Sequence, residues 1–277
     1  SGIDVTAATA IAAVSAAPPA RTGVVAFLRR HPTVAIGGAL LVAIVLASLA
    51  APWLATVDPI SINPSQRLRS PSADHWFGTD RFGRDLYSRV IYGGRVSLVV
   101  GLSVAGLATL IGLAIGLVSG YLRAVDVVVM RVMDGMMAIP AIMLAIALIA
   151  LSKASVLIVI VAVTLPEVPR VVRLVRSIVL TIREQPYIEA ATAIGTSVPR
   201  IMLRHLLPNA LPPLIVQATY ICASAVLIEA ALSFLGAGTP PEVPSWGNIM
   251  AEARPYFQLK PAMVLLPGLF LAVTVLA

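Results

Sequence analysis

The sequence predicts an all-α integral membrane protein, a bundle of six spanning helices, on three observations. Apolar residues make up 58% of the chain and charged ones only 12%, with a mean hydropathy of +0.94, outside the range of soluble domains. Uncharged apolar runs recur near the ~20 residues that a spanning helix needs, at residues 33–51, 96–122, 135–152 and 210–228. Two shorter runs complete the six: 154–166, interrupted by Glu167, and 261–277. These runs are far longer than barrel strands, and lipid leaves backbone groups unsatisfied in any other open structure, so helices are required. The last span has no cytoplasmic flank, as expected of a truncated sequence.

An even number of spans puts both termini on one side, and Arg21, Arg29 and Arg30 before the first span assign that side to the cytoplasm. The margin is small, 11 basic residues inside against 9 outside, of the 20 in the chain. The expected organisation is a largely disordered cytoplasmic tail at 1–32, a first span at 33–52 and an extracytoplasmic loop at 53–95. A five-span core follows at 96–277, with an inner loop at 181–209. The Ala/Ser/Thr/Pro composition of residues 1–20, without a basic start or leucine core, reads as a disordered tail and not as a signal peptide.

Several functions are excluded by what such chemistry needs. One cysteine, Cys222, allows no disulfide within the chain and no thiolate cluster. His31, His75 and His205 fall on a tail, an outer loop and an inner loop, so no shared metal site is expected, and no nucleophile with a nearby base marks the chain as an enzyme. Neither Lys153 nor Lys260 sits in a glycine-rich phosphate loop, so no nucleotide or other cofactor is expected on this chain. The net charge of +7 reads as a topology signal, without nucleic-acid binding.

Along the chain, Asp80, Arg81, Arg84, Asp85 and Arg89 alternate in sign near Gly78 and Gly83, a pattern suited to exposed ion pairs in a folded loop or to contact with a partner. Gly101, Gly106, Gly112, Gly116 and Gly120 stud the second span, and the Gly112 to Gly116 spacing allows close helix contact within the chain or with another. Arg131 and Asp134 are spaced to pair with each other, and Pro140 predicts a kink. Arg170, Arg173 and Arg176 recur every third residue, either as a helix emerging into the cytoplasm or as a voltage-sensor stripe, which would need acidic partners. Glu229 follows 19 uncharged residues, 210–228, and reads as lining a pathway or fixing helix packing. Residues 238–247, GTPPEVPSWG, predict a rigid outer loop with Trp246 in the interfacial belt.

The polar insert at 189–209, EAATAIGTSVPRIMLRHLLPN, is the most informative segment. EAATAI favours helix, Gly195 breaks it, Ser197 can cap a second helix, and Pro199 suits an early helical position. The second helix is expected to reach about Leu207 and end near Pro208. Two short helices with a glycine corner form a knob that either fits a groove on a soluble partner, with Glu189 available for an ion pair, or is an ordinary surface loop.

Glu189, Ala190 and Ala191, then Gly195, then His205, Leu206, Leu207 and Pro208 resemble the EAA signature of permease subunits in bacterial ABC importers. HWFGTDRFGRDLYSRVIYGGRVSL at 75–98 and ALSFLGAGTPPEVPSWG at 231–247 resemble the C-type permease of the dipeptide, oligopeptide and nickel branch, and the similarity covers roughly residues 27–277. Leu165, Val168 and Pro169 depart from the family pattern, which puts the local helix path in question. The resemblance implies a type 1 permease fold in the bacterial cytoplasmic membrane. Glu189, Ala190, Ala191, Gly195, His205, Leu207 and Pro208 would then form a cytoplasmic coupling loop. It further implies a paralogous second permease, two cytoplasmic ATPase subunits holding ATP and Mg, and an extracytoplasmic substrate-binding protein. The alternative from another class is a gradient-driven secondary transporter, which should place ionisable pairs at mid-membrane, where this chain offers Glu229 and Glu167.

Overall fold

The computed structural model describes residues 24–152 and 155–277. The tail expected at 1–20, Arg21, Lys153 and the start of the run at 154 lie outside the described residues. Helix α1 (Val24–Arg30) leads into α2 (Pro32–Leu49), which Pro32 opens from a position where its missing N–H costs nothing. A single turn, α3 (Ala51–Leu54), then gives way to an irregular stretch containing one 3₁₀ turn, Pro64–Gln66.

Helix α4 (Leu86–Tyr121) begins ten residues before the apolar run at 96, because the Asp85 side chain caps it, accepting from the Ser88 N–H at 2.8 Å. At 1.5 Å per residue its 36 residues span about 54 Å, well beyond a ~30 Å hydrocarbon layer, so one end stands clear of the membrane. Helices α5 (Arg123–Met137) and α6 (Ala141–Ala150) meet at an 84° bend. Pro140 causes it, since it donates no N–H and disfavours helical geometry at Ile139.

Helix α7 (Val156–Arg183) starts at a Ser155 cap and runs unbroken through Pro166, Glu167 and Pro169. The departures at Leu165, Val168 and Pro169 therefore leave the helix path intact, and the break in hydropathy at Glu167 is not a break in the helix. Arg170, one turn on, holds both Glu167 oxygens at 3.0 and 3.1 Å. Two short helices, α8 (Pro186–Ala193) and α9 (Val198–Ile201), precede α10 (Leu207–Phe234). Helices α11 (Trp246–Ala253) and α12 (Ala262–Leu276) close the described chain.

By length and composition α2, α4 and the continuous stretch Val198–Phe234 can each cross a membrane, and the bent α5–α6 pair is a fourth crossing unit. Helix α7, which carries Glu167 and four arginines, and the 15-residue α12 complete the six. Packing places α7, because Gly112, Gly116 and Gly120 of α4 lie directly against Val171, Val175 and Val179. A Cβ on these glycines would come within 2.4, 2.7 and 2.7 Å of the valine Cβ atoms. The small-residue face is thus used inside the chain. The main core joins α4, α7 and α10 through side chains such as Val104, Val172 and Ile221. A second core of Ile44, Leu86, Val90, Trp246, Ile249 and Met263 ties α2, α4, α11 and α12 together at the opposite end from residues 184–206. These two ends are called the loop end and the knob end below.

Candidate functional site

At the knob end, α8 buries Ile188 and Ala191 and turns Glu189 and Ala190 outward. Its C-terminus closes in a Schellman motif. The Thr196 N–H donates to the Ala191 carbonyl at 3.0 Å and the Gly195 N–H to Thr192 at 3.0 Å, with Gly195 at φ +79°. Only a residue without Cβ holds that conformation cheaply, which accounts for the glycine in the signature. Ser197 occupies the N-cap position of α9 but makes no capping side-chain bond, and Pro199 lies in the first turn as expected.

The second short helix does not end near Pro208. It passes through a π turn, Met202–Leu206, where the Leu207 N–H reaches back to the Met202 carbonyl, and continues straight into α10. The wider turn accommodates Pro208, which has no N–H for the α-helical ladder. Pro208 sits in the first turn of α10, Leu207 is half-buried, and the His205 ring is tilted against Tyr187 at 6.0 Å. The signature residues therefore converge on one knob, with Ile194 82% exposed, Leu203 64% and Tyr187 47%. Beside them the exposed Glu189 carboxylate makes no ion pair with a described residue.

Arg183 anchors the knob. Its guanidinium donates to the carbonyls of Gly120 and Tyr121 at 3.4 and 3.5 Å, satisfying the open C-terminus of α4 with a positive charge at the negative end of the helix dipole. Tyr121, Arg183, Ile188, Glu189, Thr192 and Ala193 line a cleft of about 520 Å³ there. In the sequence Arg183 is one of the 11 basic residues assigned to the inner side, and its position at the end of a span is the available signal.

The arginine series finds acidic partners. Arg170 bonds Glu167, Arg173 bonds Asp134, and Arg176 bonds Asp126 through two nitrogens, one at 2.6 Å. Asp134 thus pairs across to α7 and not with Arg131 on its own helix, because the α5–α7 packing brings Arg173 to it. Arg173 and Arg176 thus pair α7 with α5, while Arg170 pairs within α7.

The Glu229 carboxylate is completely buried and accepts from three hydroxyls: Ser233 and Ser245 at 2.8 Å and Ser97 at 3.3 Å. Ser245 also caps α11 by accepting from the Asn248 N–H at 3.2 Å, while Asn248 donates to Thr239 Oγ1 at 2.8 Å and to the carbonyls of Thr239, Pro240 and Val243. One carboxylate therefore links α4, α10, the 236–245 loop and α11. Close packing surrounds it: a Cβ on Gly247 would lie 2.6 Å from Ala230 Cα, and one on Gly238 would meet Ser233.

Two expectations at the loop end are corrected. Asp80, Arg84, Asp85 and Arg89 are buried, not exposed, and Arg81 is half-buried: Asp80 binds Arg84 at 2.6 Å, Arg84 and Arg89 both reach Glu252 of α11, and Arg89 lies 3.4 Å from Asp80. His75 bridges Asp85 and Gln66, each at 2.9 Å. Trp246 is not interfacial. It is fully buried, with its indole N–H on the Val90 carbonyl at 2.9 Å, because Gly93 and Gly94 open a slot for the ring. Glu252 and Ser97 were missed, since neither carries a local sequence signal; Ser245 and Asn248 were visible as a cap three residues apart.

Comparison with known proteins puts a family on this geometry. Residues 108–277 match the model described as binding-protein-dependent transport system inner membrane component, and residues 24–71 match the N-terminal TM domain of oligopeptide transport permease C. The chain is 49% identical to a probable peptide ABC transporter permease protein of Sinorhizobium fredii, over 92% of this chain and 87% of that one. It is 41% identical to a dipeptide transport system permease protein of Alkalihalophilus pseudofirmus, over 90% of this chain and 82% of the relative. Its fold is that of a chain from the MetNI methionine ABC transporter solved in inward-facing conformations, with TM-score 0.54 and 22% identity over 68% of this chain and 89% of the other. The chain belongs to the family of inner membrane components of binding-protein-dependent transport systems.

Proposed function

We propose that this chain forms half of the translocation pathway of an ATP-driven importer for di- or oligopeptides, together with a paralogous second permease. Two cytoplasmic ATPase subunits hold ATP and Mg and dock on the knob, and an extracytoplasmic binding protein delivers the solute at the loop end. The chain itself is non-catalytic, with both termini in the cytoplasm. One observation carries the reading: the knob exposes Tyr187, Ile194 and Leu203 around Glu189, which is unpaired among the described residues, while Arg183 fastens it to the end of α4. An apolar patch with one charge, rigidly attached to a span, suits docking and force transmission. Relatives whose names specify peptides supply the substrate class. Family membership leaves the gradient-driven carrier without support.

Closure of the ATPases on ATP would draw the knobs together and tilt α7 and α10, which enter and leave the knob, between two packings. Glu189→Lys should lower ATP-dependent peptide uptake about tenfold or more, in line with losing an interface anchor worth about 1–2 kcal/mol, while the spans stay inserted. Uptake at the parental rate by both Glu189→Lys and Gly195→Ala would sink the assignment.

A further inference from the structure

Hydrogen-bonding side chains stand in the middle of a membrane span, on the face of α10 turned away from α4. Tyr220 is the fourteenth residue of the 28 in α10, so its phenol lies about 20 Å along the axis from either end. Gln217, Tyr220 and Ser224 are three and four residues apart, which puts them on one stripe. Tyr220 is 59% exposed, and Gln217 and Ser224 are half-buried. None of the three side chains is hydrogen-bonded to a described residue, whereas the neighbouring Thr219 hydroxyl returns to the Val216 carbonyl at 2.8 Å. Toward the knob end, Pro212 and Pro213 have no N–H, so the carbonyls of Pro208 and Asn209 lose their ordinary helical donors.

Acyl chains can satisfy none of these groups, so the stripe faces a water-filled path or a polar occupant. A neighbouring helix is a poor occupant, because its backbone groups are already bonded internally. A peptide in transit is a good one, since each residue brings a free N–H and a free C=O. The amide of Gln217 and the hydroxyls of Tyr220 and Ser224 each both donate and accept, so they can bond either group. Glu229, the one acidic or basic residue of α10, is buried on the opposite side of the helix. The stripe therefore offers neutral hydrogen bonds, suited to peptide backbone of any side-chain sequence.

We propose that Gln217, Tyr220 and Ser224 line this chain's half of the translocation path and hydrogen-bond the backbone of the passing peptide, a role that rests on the peptide-import reading above. The test uses the complete importer in proteoliposomes with Cys222→Ala as the parent, single cysteines in place of Tyr220 or Ser224, and Leu40→Cys on the lipid-facing α2 as the control. A membrane-impermeant thiol reagent should modify both stripe cysteines at least tenfold faster than the control, and a mixture of dipeptides and tripeptides should slow that modification. Gln217→Leu and Tyr220→Phe should each raise the KM for uptake of a tritiated dipeptide mixture several-fold. Stripe cysteines as unreactive as the control, reactivity unaffected by peptides, or a disulfide from Tyr220→Cys to the second permease would each overturn the stripe while parental uptake persists. Absence of ATP-dependent dipeptide uptake by the parent would instead remove the import reading, and the stripe's role with it.

Discussion

Both ends of the bundle carry charged residues, and they place them differently. At the loop end, Asp80, Arg84, Arg89 and Glu229 are buried and, with the half-buried Glu252, bond within the chain. At the knob end, Glu189 is exposed beside Ile194 and Leu203 and has no ion-pair partner among the described residues. A buried charge is tolerated only when paired, so the loop end is a finished structure. The knob is unfinished in the same sense: its apolar surface and its charge are left for another molecule. Residues that read alike in the sequence therefore divide into a clamp that holds the fold and a surface that meets a partner.

The contrast can be broken most forcefully at Glu252. Glu252→Ala leaves Arg84 and Arg89 buried with only Asp80 between them, and should cost about 3–5 kcal/mol. The measurement is thermal unfolding of the detergent-purified protein, and a melting temperature matching the parent would show the cluster to be hydrated and open. A smaller loss follows at Glu229. Glu229→Ala removes the acceptor of three hydroxyl donors, leaving Ser233 and Ser245 only the N–H bonds they accept from Thr239 and Asn248, at about 1–3 kcal/mol. Protease sensitivity of the 236–245 loop should rise with it; a loop as resistant as before would separate the carboxylate from the loop's order. The smallest effect belongs to the knob, where Gly195→Ala forces a Cβ into the left-handed region at about 1 kcal/mol. Nothing lies within 4 Å of that Cβ, so the cost is purely conformational. Unfolding should therefore shift little even where uptake falls, and a shift as large as that of Glu252→Ala would erase the distinction between the ends.

Much of the fold was legible because membrane helices announce themselves by length and hydropathy. The runs at 33–51 and 261–277 coincide with α2 and α12, those at 96–122 and 210–228 lie on longer helices, that at 135–152 straddles the α5–α6 bend, and the sixth is instructive. Residues 156–166 of that run are only the start of α7, which continues to Arg183 because Arg170 neutralises Glu167 and because valines at 171, 175 and 179 fill the glycine face of α4. Within the knob, the Gly195 corner and both short helices were readable from local chemistry. The fusion of α9 with α10 was not, since a proline at 208 ordinarily ends a helix and only the π turn before it lets the chain run on. The partners of the arginine series were also hidden, because spacing along one helix is silent about which helix lies opposite.

Composition and local pattern determined that this protein is a helical bundle, where its chain turns, and which segment resembles a coupling loop. These are properties of short stretches: hydropathy over about 20 residues, or a glycine after a helix. Tertiary structure decided which charges are buried. The sign pattern of Asp80 to Arg89 fits an exposed loop and a buried cluster equally, and the presence of Glu252, well over a hundred residues away, selects the second. It decided likewise that Trp246 enters the core through the slot at Gly93 and Gly94. Burial and pairing depend on what other parts of the chain bring to the same place, and that information is distributed over the whole sequence.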